Sequence, residues 1–170
     1  MKTTGIVRRV DELGRIVIPK EIRTRMKMDS GDLVDICIND EQVVLSKFHP
    51  LERNSQLISS FCDSLKETYY SDIIITNLQQ ITYNTISEDL NGCVLSEDFL
   101  KRVNAFLDKE VSSLNKINLS EGYILNKDAL ICEIMLGSEL YGYLLILDGM
   151  LSRKQRDLAD FILKYLNRVL

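Results

Sequence analysis

Seven cations near the start of the chain, Arg8, Arg9, Arg15, Lys20, Arg23, Arg25 and Lys27, have the type and spacing that suit phosphate chemistry. With Lys2 they give residues 1–27 eight basic side chains against three acidic ones, a net of +5. Residues 28–170 hold thirteen basic and twenty-two acidic side chains, a net of −9. The formal charge of −4 is therefore an average over two unlike parts. A basic block of this kind suits a partner that carries negative charge. Arginine is the informative member, because its planar fork binds phosphate through two hydrogen bonds and also matches the edge of guanine.

Other chemistries find little support. The four cysteines, Cys37, Cys62, Cys93 and Cys132, lie 25, 31 and 39 residues apart, and His49 is the single histidine. Neither a zinc site nor a thiol paired with a base is expected from ligands so scattered. No phosphate-binding glycine loop, nucleophile elbow or paired-histidine metal motif occurs. The expectation is a protein that is not an enzyme, with no catalytic residue, cofactor or metal. Met1 is followed by polar residues and the apolar runs are too short to span a bilayer, so a cytoplasmic, nucleoid-associated location without membrane contact is expected.

The elements that must position the cations are short. Residues 5–10 and 15–18 read as strands either side of the turn Asp11-Glu12-Leu13-Gly14. Pro19 then opens a helix over 19–27, where a missing N–H does no harm. At about 100° per residue, Lys20, Arg23 and Lys27 fall within about 60° of one another, whereas Arg25 lies about 160° from Arg23. Residues 33–38 and Gln42–Lys47 read as a hairpin. So little core is marginal alone, and pairing with a second copy buries more.

The segment Thr4-Gly5-Ile6-Val7-Arg8-Arg9-Val10-Asp11-Glu12-Leu13-Gly14-Arg15-Ile16-Val17-Ile18-Pro19-Lys20-Glu21-Ile22-Arg23 closely resembles the N-terminal signature of the AbrB family of bacterial transition-state regulators. The resemblance implies a SpoVT-AbrB swapped-hairpin domain over residues 1–50, a β-barrel-like dimer whose strands interleave and bind double-stranded DNA. It implies DNA contacts by Arg8, Arg15 and Arg23, with Lys20 on the same stripe. The family commonly has two adjacent arginines in the helix, whereas Arg23-Thr24-Arg25 shifts the second by one, so Arg25 joins the candidate set less directly. If the dimer neutralises roughly six phosphates, log affinity should fall against log salt with a slope near −5.

Beyond His49-Pro50 the texture changes. Leu57, Ile58, Phe61, Cys62, Leu65 and Tyr69 recur at helical spacing, strand-like runs follow at 73–75 and 81–86, and Ser96 caps a helix carrying Phe99, Leu100, Val103, Phe106, Leu107, Val111 and Leu114. Further strands are expected at 122–125, 130–136 and 141–147. A last helix starts near Arg153, with Ser152 and Gln155 at capping-box spacing. Together with the N-terminal hairpins this predicts an α+β protein whose residues 51–170 form an antiparallel sheet flanked by helices. That order of elements resembles a GAF-like domain, which implies a sensor or oligomerisation module and an unidentified small-molecule effector. A pocket would lie near 86–99, with Tyr83, Asn84, Asn91 and Tyr123 as polar candidates. Leu57, Phe61 and Leu65, with Leu158, Phe161 and Tyr165, carry more apolar bulk than one sheet face needs, and suit a second self-association that would make a tetramer of the dimer. The rival class is a swapped-hairpin antitoxin that neutralises a toxin and regulates its own operon.

Overall fold

The computed structural model describes residues 5–106, 116–147 and 152–170. The chain divides into two compact units, Met1–His49 and Pro50–Leu170.

In the first unit, 5–10 and 15–18 are not strands in this chain, contrary to the expectation from sequence; the β-ladders among the described residues begin further on. A ladder needs a neighbour to take its N–H and C=O groups in succession, and the following pair of strands is already matched to itself. Helix α1 (Lys20–Arg25) starts directly after Pro19, which has extended backbone, φ −58° and ψ 149°. It ends earlier than expected because Lys27 turns into the left-handed region at φ 52°. There the Met28 amide donates to the Arg23 carbonyl at 2.8 Å and the Lys27 amide to that of Thr24 at 3.2 Å. This is a Schellman ending, with lysine where glycine is usual, and it drives Met28 into a buried position. Strands β1 (Val34–Asn39) and β2 (Gln42–Lys47) form an antiparallel hairpin closed by Asp40-Glu41. At its base Asp32 accepts from the Asp29 amide at 2.8 Å and pairs with Lys47 at 2.9 Å.

The second unit opens with a short helix that sequence reading missed, α2 (Pro50–Arg53), whose Pro50 and Leu51 are buried. Proline at a first helical position is favoured. Helix α3 (Ser55–Tyr69) follows, then β3 (Asp72–Asn77) and β4 (Ile81–Asn84). Helix α4 (Glu97–Phe106) is capped by Ser96 as expected: its hydroxyl accepts from the Phe99 amide at 3.0 Å and donates to the Asn118 carbonyl. Of the apolar positions expected on this helix, Leu107, Val111 and Leu114 lie outside the described residues. Strands β5 (Ile117–Ser120) and β6 (Tyr123–Leu125) pair with each other. Strands β7 (Ala129–Leu136) and β8 (Glu139–Leu147) complete a four-stranded antiparallel sheet in the order β4-β3-β8-β7. Helix α5 (Arg153–Val169) closes the unit, and its capping box is formed, with the Ser152 amide donating to Gln155 Oε1 at 2.7 Å.

Alternation along the strands feeds two cores. Ile73, Ile75, Leu144 and Ile146 point to the side covered by α3 and α5, against Ile58, Cys62, Leu158 and Ile162. Ile74, Tyr143, Leu145 and Leu147 point the other way, against Phe99, Val103, Leu119 and Leu125. A sheet covered on both faces explains why β3 and β8 read as continuous apolar runs. Gly142, opposite Asn77 in the β3–β8 register, lets the two backbones close up where a side chain would collide with Thr76. Glu52 of α2 accepts from Asn77 Nδ2 at 3.0 Å and Gln80 Nε2 at 3.3 Å, which ties the start of the unit to the β3–β4 turn.

Candidate nucleic-acid interface

The turn between residues 11 and 15 is organised by one carboxylate. Asp11 Oδ1 accepts from the Leu13 amide at 3.0 Å and the Arg15 amide at 2.8 Å, while Oδ2 takes the Arg15 Nε at 2.8 Å. Backbone bonds from Gly14 to Asp11 and from Asp11 to Arg15, each 3.0 Å, close the same loop. Gly14 sits at φ 76°, where a side chain would be strained. The two Arg15 groups and then the Leu13 amide hold the Asp11 carboxyl below its ordinary range, opposed by slight desolvation. Arg15 is thus presented on a hydrogen-bonded turn with its guanidinium held by Asp11, yet its side chain remains 70% exposed. The turn-organising role of Asp11 was missed in sequence; an aspartate three residues before a glycine is an available signal for this kind of turn.

The other candidates are placed around this turn and on α1. Arg8 is exposed and donates to the Val7 carbonyl at 2.9 Å. Lys20 and Arg23 share one stripe of α1, and Arg25 lies on another. All three are exposed, and none of their side chains makes a hydrogen bond or ion pair with a described residue. Lys27, expected on the same stripe, has left the helix. The unit therefore offers a set of mostly unspent cations, which is what phosphate neutralisation requires.

The same unit leaves much apolar surface open. Val7 is 84% exposed and Val17 74%, with Val10, Ile16 and Leu13 also outside. A groove of about 380 Å³ runs between Ile6, Ile16, Ile18, Ile22, Met26 and Leu45.

Of the proposed polar pocket groups in the second unit, Asn84 and Asn91 are joined, while Tyr83 and Tyr123 pack against different cores. Tyr83 lies on the α3 side, where its hydroxyl donates to Asp63 at 2.5 Å and, with burial the larger cause, its phenol is pushed well above the ordinary range. Asn84 is buried and committed to Asn91 at 3.0 Å and to the Ile86 amide. Tyr123 borders a cavity. The expected self-association surface is also revised: Leu65 and Leu158 are consumed by the unit's own core. Leu57 and Phe161 remain 56% and 52% exposed, beside Phe61, which stacks on Tyr165 at 3.8 Å between centroids. Burial pushes the Cys62 thiol up to about 12 and the Cys132 thiol to about 11, so neither is a ready nucleophile. Among the described residues no helix is long and apolar enough to cross a membrane.

Comparison with known proteins places these features. Residues 7–48 match the family model for MazE, a bacterial antitoxin of antidote–toxin recognition. The chain is 31% identical to stage V sporulation protein T of Bacillus subtilis over 115 residues, 67% of this chain and 64% of that protein. It is 50% identical over 50 residues to the transition state regulatory protein AbrB of the same organism, 29% of this chain and 52% of that protein. A solution structure of the N-terminal DNA recognition domain of AbrB, also 50% identical, covers 28% of this chain and 91% of that domain with a TM-score of 0.25. The matches thus span between about half and just under two thirds of these two curated relatives. The first match runs well past the 49 residues of the N-terminal unit and so continues into the second. The N-terminal unit of this chain is a MazE/AbrB-type domain.

Proposed function

We propose that the chain is a DNA-binding transcriptional regulator of sporulation or transition-state genes. Its N-terminal units pair as a swapped-hairpin dimer and grip double-stranded DNA through Arg8, Arg15, Lys20 and Arg23, with Arg25 at the margin. The observation that carries this reading is the Arg15 turn: a guanidinium held by Asp11 beside Gly14, inside a segment half identical to AbrB, whose N-terminal domain is described as a DNA recognition domain. The exposed apolar residues of 7–17 support the dimer, since a second copy would remove them from water and supply the missing ladder partners. The C-terminal unit, a sheet between two helical and mixed layers, serves as a GAF-like module for oligomerisation and small-molecule sensing. Exposed Leu57 and Phe161, with partly buried Phe61 and Tyr165 beside them, are its surface for a further copy, which makes the assembly a tetramer.

The match to an antitoxin family favours a second reading, a toxin-neutralising protein that regulates its own operon. The folded C-terminal unit speaks for the regulator, because antitoxins of this kind wrap their toxin with an unstructured acidic tail. Limited proteolysis separates the two readings: a stable fragment beginning near residue 50 supports the regulator, and complete digestion of that region supports the antitoxin. The decisive assay is a gel shift on promoter fragments and random duplex with wild type, Arg15→Ala and Arg23→Ala. Each substitution occurs twice per dimer and should cost roughly tenfold or more in affinity. Wild-type binding by both variants overturns the assignment.

A further inference from the structure

A cavity of about 230 Å³ in the C-terminal unit is lined by Asp72, Glu88, Tyr123 and Lys127 over an apolar floor that includes Ile86 and Leu147. The space is at the small end for a ligand site, which suits a small metabolite. Its charges are arranged unevenly. Asp72 is the enclosed one, bound by Lys66 at 3.0 Å and by Lys127 at 3.3 Å. Lys66 is held a second time by the Thr85 carbonyl. Asp72 therefore stays compensated when Lys127, whose side chain is 60% exposed, turns away. Glu88 makes no ion pair with any described residue, and the Tyr123 hydroxyl makes no hydrogen bond with one. Both carboxylates and Tyr123 line this one cavity, and the Tyr123 phenol is raised by burial first, then by the charges of Glu88 and Asp72.

We propose that this cavity binds a free aliphatic α-amino acid, with its carboxylate on Lys127, its ammonium on Glu88 and the Tyr123 hydroxyl, and its side chain over Ile86 and Leu147. A ligand with only a negative charge places it beside the unpaired Glu88, and one with only a positive charge gains nothing from Lys127, which stays on Asp72. The zwitterion satisfies both, and the apolar floor selects an aliphatic body. The inference deepens the sensing role proposed above and rests on it.

The test is isothermal titration calorimetry of the full chain, without DNA, using L-leucine and L-valine. The comparison ligands are 3-methylbutylamine and 4-methylpentanoate, each lacking one charge of leucine. The amino acids should bind, the single-charge analogues about tenfold or more weakly, and Lys127→Met and Glu88→Gln should each weaken leucine about tenfold or more. Both substituted side chains are exposed, so thermal melting should match wild type. No heat from either amino acid up to about 10 mM, equal binding of an analogue, or wild-type affinity in both variants overturns the proposal. Because DNA is absent from the assay, its failure leaves the DNA-binding reading standing, and a failed gel shift leaves the calorimetry interpretable.

Discussion

Replacing Gly142 by alanine tests how closely the two central strands of the C-terminal unit approach. A Cβ at this position would overlap the Thr76 carbonyl oxygen and lie 2.8 Å from its carbonyl carbon and 3.0 Å from Asn77 Cα. These are backbone atoms of β3, a strand paired on both sides, so no side-chain rotation relieves the overlap. The conformation of Gly142 is one that other residues adopt, so the penalty is steric alone. Overpacking of a tight interior costs about 1–3 kcal/mol, and a backbone collision belongs at the upper end. The smaller entropy of the unfolded alanine chain returns about 0.4–1 kcal/mol. The net loss should be about 2–3 kcal/mol, a fall of about 6–12 °C in the melting of the C-terminal unit. Differential scanning calorimetry on the full chain measures it. A fall under about 2 °C refutes the close approach of β3 and β8.

Other perturbations probe the interface and its supports. Arg23→Ala should remove about two phosphate contacts per dimer and flatten the log–log salt slope of DNA binding by about 1.8, and an unchanged slope removes Arg23 from the contact set. The Asp11 carboxyl is depressed in the folded chain, so its contribution to the turn is complete above the ordinary carboxylate value near about 3.9 and lost as pH falls through the lower folded value. Amide NMR of Leu13 and Arg15 should therefore be unchanged from neutral pH to about 5 and shift only under more acid conditions; a transition near neutrality contradicts the Asp11 assignment. Lys27→Gly relieves a left-handed residue at the end of α1 and should raise stability by up to about 1 kcal/mol in a denaturant melt, while a loss contradicts the strain argument. Phe161→Ser should lower the oligomer mass in light scattering without unfolding the chain, because the ring is half outside its own core; an unchanged mass removes α5 from the proposed contact.

Legibility in the sequence followed how local each cause is. Pro19 marked the start of α1 to within a residue, because a proline's constraint acts on its own backbone. Apolar periodicity located α3, α4 and α5, and the Ser152–Gln155 pair located the start of the last helix. Strand β5 was missed because four residues alternate too briefly to stand out. Leu65 and Leu158 were read with Leu57 and Phe161 because periodicity finds an apolar face without showing which of its edges the sheet covers. The cations were legible by type, whereas the role of Asp11 exists only after the turn closes and carries its oxygens onto Leu13 and Arg15. The strands expected at 5–10 and 15–18 have a strand-like pattern without a ladder in one chain, since pairing depends on a neighbour the pattern does not contain.

The short helix at Pro50–Arg53 decides where the molecule can be cut. Leu51 is buried within the C-terminal unit, and Glu52 receives two side-chain amides from the β3–β4 turn. What looks in the sequence like a tether between modules is therefore the first course of the second module's masonry. Cleavage just before Pro50 should release a self-sufficient piece that could be grafted behind a different N-terminal unit. Cleavage a few residues later would strip a buried leucine from the core and leave Asn77 and Gln80 without their acceptor.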